Sequence, residues 1–447
     1  LQQRESKQPW NPKSNLLPSC QDASLLLLGD ATHGTQEFYQ LRRDITQALE
    51  ARVSAVVVEG DVGPLTLLNR HVLGQQGVSP TSVWDSNSDN PSSSFLWRNN
   101  VMLDFVEWLR DYNAQQTTTT NKIQLWGMDI YSLFTSMDLV VDYLERTASP
   151  RIQQEAHLCY STLQTFRPNP QAYQRAIFAR VVPSQQECVE RVLQLVLQQG
   201  QSLSQAWLEA LLNARAVVAG EAYFRLLGST TDRHEASVTT WNLRDDAMLQ
   251  MLQDIRKFIP SSMMIVVWAH NSHVGDMRAQ YKRNGYRNLG QLCRQGFERV
   301  YSVGMTTHRG TVRASRNGGD GAHVMMLKPA LESSHESVLH RLAIRQHQTI
   351  LGLSFHGGFS AAQQLFHVPR LQRFVGITYT PEREVPAHYH ICDLTEEFDY
   401  IIHVDRSTAL LVDRVPVVMD ANTTTPVTTD LLLLKSYRPT ARELETR

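Results

Sequence analysis

Short apolar runs separated by longer amphipathic stretches set the pattern of this chain. Leu25 to Leu28 is the most compact run, and Ser54 to Val58, Lys122 to Trp126, Ser262 to Trp268, Tyr301 to Met305 and Tyr400 to His403 follow. Such runs without polar alternation predict interior strands of a parallel sheet, buried on both faces. Across residues 24–131 they alternate with helix-like segments, the signature of βαβ units. Strands resume near 262, 300, 373 and 398. Residues 133–258 carry no convincing strand, whereas Glu187 to Leu197 and Leu203 to Leu227 have helical spacing. The pattern therefore predicts an α/β fold with a central, mostly parallel sheet flanked by helices. A large helical insertion forms a cleft wall over the carboxyl ends of the strands. Residues 1–23 read as a polar lead-in, 24–412 as the main domain and 413–447 as a C-terminal extension. Ser86 to Ser94, Gln115 to Asn121 and Arg309 to Gly321 read as loops, the last of them exposed.

The polar residues that end the runs carry the chemistry. Gly29 is followed by Asp30 and His33; the second run ends on Glu59-Gly60-Asp61, and the third on Gly127-Met128-Asp129. The run to Trp268 ends on Ala269-His270-Asn271-Ser272-His273, with Asp276 beyond, while His308 and Asp405 follow the last two. Ligands of open α/β sheets sit outside the carboxyl ends of the strands. Several strands ending on Asp, Glu or His predict one polar cluster there, with groups suited to acid–base work. Taken singly, each residue also reads as a local cap.

From Thr35 to Glu50 the apolar residues Phe38, Leu41, Ile45, Ala48 and Leu49 share one helical face, and Arg42 projects from its middle. A guanidinium directed at a sheet needs a carboxylate, because an unpaired buried charge costs several kcal/mol. Asp30 and Glu59 are the candidates; the alternative is a side chain that reaches the rim.

Composition narrows the function. With 447 residues the chain can bury a sizeable core. A net charge of −1 gives no basic field for nucleic acid or an anionic membrane, and no apolar run approaches the length of a membrane helix. The five cysteines (Cys20, Cys159, Cys188, Cys293, Cys392) form no CxxC pair, which argues against a disulfide scaffold or cysteine zinc site and for a reducing, cytoplasmic setting. There is no GxSxG elbow, SxxK pair, phosphate-binding glycine loop or HExxH helix. A histidine-rich cluster without a Ser or Cys attacker points to a water activated by an imidazole. His270 and His273 read as a metal pair with Glu59 or Asp30, the alternative being His270 as a second acid–base group. Trp97, Trp108 and Trp126 read as core contacts, and Asp245 as a local cap or a residue facing the site.

These residues together resemble the erythromycin esterase family. The resemblance rests on Gly29-Asp30-Ala31-Thr32-His33-Gly34-Thr35 with Glu37-Phe38, on Val58-Glu59-Gly60-Asp61, and on Phe105-Val106-Glu107-Trp108-Leu109-Arg110. Trp126-Gly127-Met128-Asp129, Arg244-Asp245 with Met248, Trp268-Ala269-His270-Asn271-Ser272-His273 and the tail Val375-Gly376-Ile377-Thr378-Tyr379 continue it in order. It implies an α/β hydrolase that cleaves an ester or macrolide lactone through activated water, with a metal optional. By that resemblance His33 matches the general base, Asp30 the motif acid (where the family usually has Glu), Arg42 the helix arginine, and His270 and His273 the second histidine pair. The reading expects His33 to deprotonate water while Asp30 or Glu59 fixes its tautomer. Arg42, with His270 or His273, stabilises the oxyanion. Asp61, Asp129 and Arg244 are expected to bind substrate. No cofactor is required, a divalent metal being the alternative. The partner is a small molecule rather than nucleic acid or membrane, and the chain is a monomer or small oligomer. A metal-dependent hydrolase and a non-catalytic binding protein are the competing readings.

Overall fold

The structure, a computed structural model, describes residues 9–86, 95–118, 121–200, 204–229, 233–281, 285–317, 321–355 and 361–412. Most of the loop expected from Ser86 to Ser94 and all of the expected 413–447 extension lie outside the described residues.

Ten strands are described: β1 (Leu25–Leu28), β2 (Val53–Asp61), β3 (Gln124–Asp129), β4 (Met264–Trp268), β5 (Val300–Ala314), β6 (His323–Leu327), β7 (Ile350–Ser354), β8 (Arg370–Arg373), β9 (Tyr389–Cys392) and β10 (Tyr400–Ser407). The main sheet runs β3-β2-β4-β1-β5-β10-β7, with β6 paired to β5. Every neighbour from β3 to β10 is parallel; β7 and β6 pair antiparallel. The fold is thus the mostly parallel α/β sheet that the apolar runs predict. Two elements differ from the sequence reading. Arg309–Gly321 is not an exposed loop up to Ala314: β5 continues through it because β6 supplies hydrogen-bonding partners, and Val312 and Ala314 are fully buried. The strand expected at 373 belongs to a separate two-stranded ribbon of β8 and β9.

Because side chains alternate across a strand, the two faces of the sheet build two cores. Leu26, Leu28, Val56, Val58, Val266, Trp268 and Met305 pack under α1 (Gln36–Ala48), α2 (Val62–Val72) and α3 (Asn100–Ala114). Leu25, Leu27, Val57, Trp126, Ile265 and Val267 pack against the other face's helices. The described residues from 133 to 258 form six helices: α4 (Leu133–Thr147), α5 (Pro150–Gln164), α6 (Pro170–Phe178), α7 (Gln186–Gln198), α8 (Gln205–Ser229) and α9 (Arg233–Phe258). Leu208 and Leu212 of α8 and Met248, Met251 and Ile255 of α9 cover the sheet, while the outer helices pack on α8 around Phe134, Tyr160 and Val192.

Register places the site. Leu28 and Val58 both align with Trp268, so β1 and β4 end level while β2 runs on to Asp61, which aligns with Asp129 on β3. Whatever follows those positions is brought side by side.

Candidate active site

Beyond Leu28 the chain turns across the end of the sheet. Gly34 has no room for a side chain: a Cβ there would lie 1.8 Å from the Arg313 carbonyl oxygen. Its own carbonyl accepts from the Arg313 and Leu410 amides, both at 2.9 Å. His33 donates its amide to the Val375 carbonyl at 3.1 Å. These bonds fix the turn, and α1 starts immediately after it.

Arg42 of α1 reaches back under this turn and is 1% exposed. Its Nη1 lies 2.6 Å from Asp30 Oδ2. Nε donates to the Leu28 carbonyl at 3.2 Å and Nη2 to the Ala269 carbonyl at 2.5 Å. Asp30, fully buried, faces His33 Nδ1 at 3.3 Å. Burial would raise the Asp30 carboxyl, but Arg42 and then His33 outweigh it and hold it at about 2, so it is ionised. Arg42, Asp30 and His33 thus form a chain of charge contacts, in which Asp30 faces the Nδ1 side of His33 and favours the tautomer whose Nε2 lone pair is left for the cavity.

Glu59, at the end of β2, accepts from the His270 amide at 2.7 Å and from Arg244 Nη2 at 2.7 Å. Its Oε1 is also 4.0 Å from His33 Nε2 and 3.3 Å from His273 Nε2. Burial opposes its charge, yet His273 and Arg244 hold its carboxyl well below the usual range. Arg244 of α9 grips Asp129 with two bonds, Nε to Oδ1 at 2.8 Å and Nη2 to Oδ2 at 2.7 Å, and lies over the Tyr131 ring. Asp61 Oδ1 accepts from the Tyr131 amide at 2.9 Å.

The two remaining histidines stand in opposite environments. His270 is pushed down to about 3, mainly by burial and then by neighbouring His33. Its Nδ1 sits 2.7 Å from Ser272 Oγ, its Nε2 3.3 Å from the Ala31 carbonyl, and its ring 4.6 Å from that of His33. His273 is raised to about 9: burial opposes its charge, but Asp245 and Glu59 prevail.

These groups form the floor of a cavity of about 540 Å³ between the sheet ends and the helical layer. Tyr131, Gln174, Tyr223, Phe224 and Trp241 line one wall, and Trp97, Phe374 and Ile377 line another. His33, Glu59, Asp61, Asp129, Arg244, His270 and His273 all face it. Asp30 and Arg42 do not. Arg42 is enclosed by Asp30 and two carbonyls, so it cannot meet an oxyanion directly, and its carboxylate partner is Asp30 alone rather than Glu59. Positive charge at the floor comes from Arg244 and His273 instead.

Other expectations also need correcting. Trp97 packs against the core as Trp126 does, but it is also a cavity wall, its Nε1 donating to the Glu59 carbonyl at 3.1 Å. His308 and Asp405 stay out of the cavity. His340 joins them, its ring stacked 3.8 Å from that of His308 and its Nδ1 2.5 Å from Asp405 Oδ1. Asp276 pairs with Arg278. His270 and His273 do not converge as a metal pair, since one is bonded to Ser272 and Ala31 and the other lies between Asp245 and Glu59. Among the described residues no group of three or more His, Cys, Asp or Glu side chains is arranged to hold a metal ion. Trp241 and His390 were not singled out by their sequence setting, yet both line the cavity. For Trp241 a signal existed: it shares one helical face with Arg244 and Asp245.

The erythromycin esterase family profile matches residues 50–407. Among solved structures the fold recurs in a succinoglycan biosynthesis protein, 19% identical over 90% of this chain and 95% of that one, with a TM-score of 0.70. A Bacillus cereus protein is 18% identical over 90% and 96%, also with a TM-score of 0.70. An erythromycin esterase mutant, EreC, in its open conformation is 16% identical over 89% and 94%, with a TM-score of 0.63. At these identities the structures speak for the fold, and the profile, which spans most of the sequence, speaks for the family. The chain belongs to the erythromycin esterase family.

Proposed function

We propose that the chain is a carboxylic ester hydrolase of the erythromycin esterase type, acting on an ester or macrolide lactone by His33-activated water attack. The observation that carries this reading is the Arg42–Asp30–His33 chain, which ends on a His33 nitrogen open to the cavity. An ionised Asp30 keeps the proton on Nδ1, so Nε2 can take one from water, as an imidazole base does in acyl transfer. Glu59 Oε1, 4.0 Å from that nitrogen, is too far for a direct bond and close enough to share a water with it.

Attack creates an oxyanion. Arg244, fixed by Asp129 and Glu59, supplies a preorganised positive charge at the floor, and such groups lower the barrier without reorganising. The aromatic walls and the cavity volume suit a bulky, largely neutral substrate, and a macrolide is the proposed one. Asp61 and Asp129, at the rim of the floor, complete the binding surface. The mechanism uses no metal.

Mass spectrometry of a panel of macrolides and simple esters incubated with the protein tests the reading. The expected result is a gain of one water on at least one lactone, or cleavage of at least one ester. Unchanged masses across the panel would remove the hydrolytic reading for these substrates.

A further inference from the structure

One turn of α9 places Trp241, Arg244 and Asp245 on a single face, at the i, i+3 and i+4 spacing that makes helical residues neighbours. All three address the end of the sheet, and two enclose His273. The Asp245 carboxylate is fully buried; it accepts from His273 Nδ1–H at 2.9 Å and from the Leu289 amide at 2.7 Å. The Trp241 ring stacks on the His273 ring at 4.6 Å with 8° between planes. Trp241 is itself anchored, its Nε1 donating to the Arg287 carbonyl at 3.0 Å. The imidazole is therefore fixed in plane by one residue and in rotation by the other, with Nε2 turned toward Glu59 and the cavity.

We propose that Asp245 and Trp241 are positioning residues that hold His273 as a fixed cation at the cavity floor, and that this cation gives its proton to the departing alcohol; the second half rests on the hydrolytic reading above. The charges facing the ring are Asp245 and Arg244 from α9 and Glu59 from β2, with Asp129 of β3 behind Arg244. Three carboxylates against one guanidinium leave a negative balance that a protonated His273 offsets. Arg244 Nη1 lies 2.9 Å from the same Nε2, so the two cations are bracketed by those carboxylates; on deprotonation Nε2 would accept from Arg244 instead. The raised value of about 9 agrees with this geometry.

The two imidazoles then divide the work, because their surroundings place them in opposite protonation states. His33 takes a proton from water as the hydroxide oxygen bonds to the carbonyl carbon. When the tetrahedral carbon breaks its bond to the alcohol oxygen, the electron pair on that oxygen takes the Nε2 proton of His273. His33 is left charged and His273 neutral. Glu59 Oε1, between the two rings, is placed to return the proton. The products are a carboxylic acid and an alcohol, with one water consumed.

NMR titration of the histidines in the resting protein, with His273 assigned by its absence in His273→Gln, tests the positioning half without turnover. His273 is expected to titrate near 9 in the wild type. The value should fall to the ordinary histidine range in Asp245→Asn, while Trp241→Phe should preserve it. A wild-type His273 that titrates in the ordinary range or below, or one unmoved in folded Asp245→Asn, would overturn the positioning.

The donor half is read from the leaving group. Asp245→Asn and His273→Gln are expected to slow an alkyl ester by about 100-fold. A p-nitrophenyl ester, whose phenolate leaves unprotonated, should lose at least ten times less, and the alkaline limb of kcat/KM should move to lower pH in Asp245→Asn. Equal losses on the two esters would overturn the donor step. If the wild type cleaves neither ester, the hydrolytic reading and the donor step fall together, and the titration alone decides the positioning.

Discussion

Asp30 is the residue on which most of the site chemistry turns. It is fully enclosed, and Arg42 first and then His33 make its charge tolerable. Arg42→Met should therefore cost about 3–5 kcal/mol, the usual penalty for leaving one partner of a buried pair behind. Chemical denaturation would show this as a lower midpoint with an unchanged slope; a variant as stable as the wild type would contradict the pairing. The pH dependence follows with its sign. Asp30 is held at about 2, so its contribution is present above the ordinary carboxylate range and is lost as pH falls toward 2. His273 is raised to about 9, so its contribution is complete below the ordinary histidine range and is lost as pH rises through 9. Thermal unfolding from pH 2 to 10 should give a plateau that falls at both ends. A melting temperature that stays flat from pH 8 to 10 would contradict the His273 assignment. At this scale Arg42 was legible, because an arginine inside an apolar helical face needs a carboxylate. Which carboxylate it takes was not legible, since Asp30 and Glu59 both end central strands and only the register separates them.

Among the elements, the strands declared themselves wherever both faces are buried, as in β1, β2 and β4. The far half of β5 did not. Arg309, Gly310 and Arg313 give it a loop-like composition, and its strand geometry depends on β6, β10 and the Gly34 turn. That turn is where an element-scale prediction belongs. Gly34→Ala would push a methyl group into the Arg313 carbonyl and should destabilise the protein by about 3 kcal/mol, the upper range for overpacking. It should also lower activity beyond the loss of folded protein, because His33 adjoins the displaced backbone. Calorimetry and the turnover rate per folded molecule would report both, and a silent substitution would contradict the close approach. The helical layer was legible as helices from spacing alone. Its contribution of Trp241, Arg244 and Asp245 to the chemistry was not, because the contacts that give them meaning come from residues up to 185 positions away in the chain.

In the whole molecule, four adjacent strands and one helical layer assemble a site that none of them contains alone. Asp30 and His33 follow β1, Glu59 and Asp129 end β2 and β3, His270 and His273 follow β4, and Arg244 and Asp245 come from α9. Sheet topology makes this possible, since β3, β2, β4 and β1 are spatial neighbours although far apart in sequence. That polar strand ends would gather could be read from the sequence; how they pair could not, because pairing depends on side-chain reach across the cavity. Asp30, Glu59 and Asp129 are engaged by Arg42 and Arg244, and Asp245 by His273, so activity is expected to survive exhaustive dialysis against a chelator. A loss restored by added divalent metal would contradict the proposed metal-free mechanism.

The central claim is that His33 is the base. The rate of folded His33→Ala against wild type, on whichever ester or lactone the protein turns over fastest, tests it most directly, with circular dichroism confirming the fold. The account predicts a fall of about 1,000-fold, within the usual range for removing a general base. A folded His33→Ala protein that hydrolyses the same substrate at the wild-type rate would contradict it.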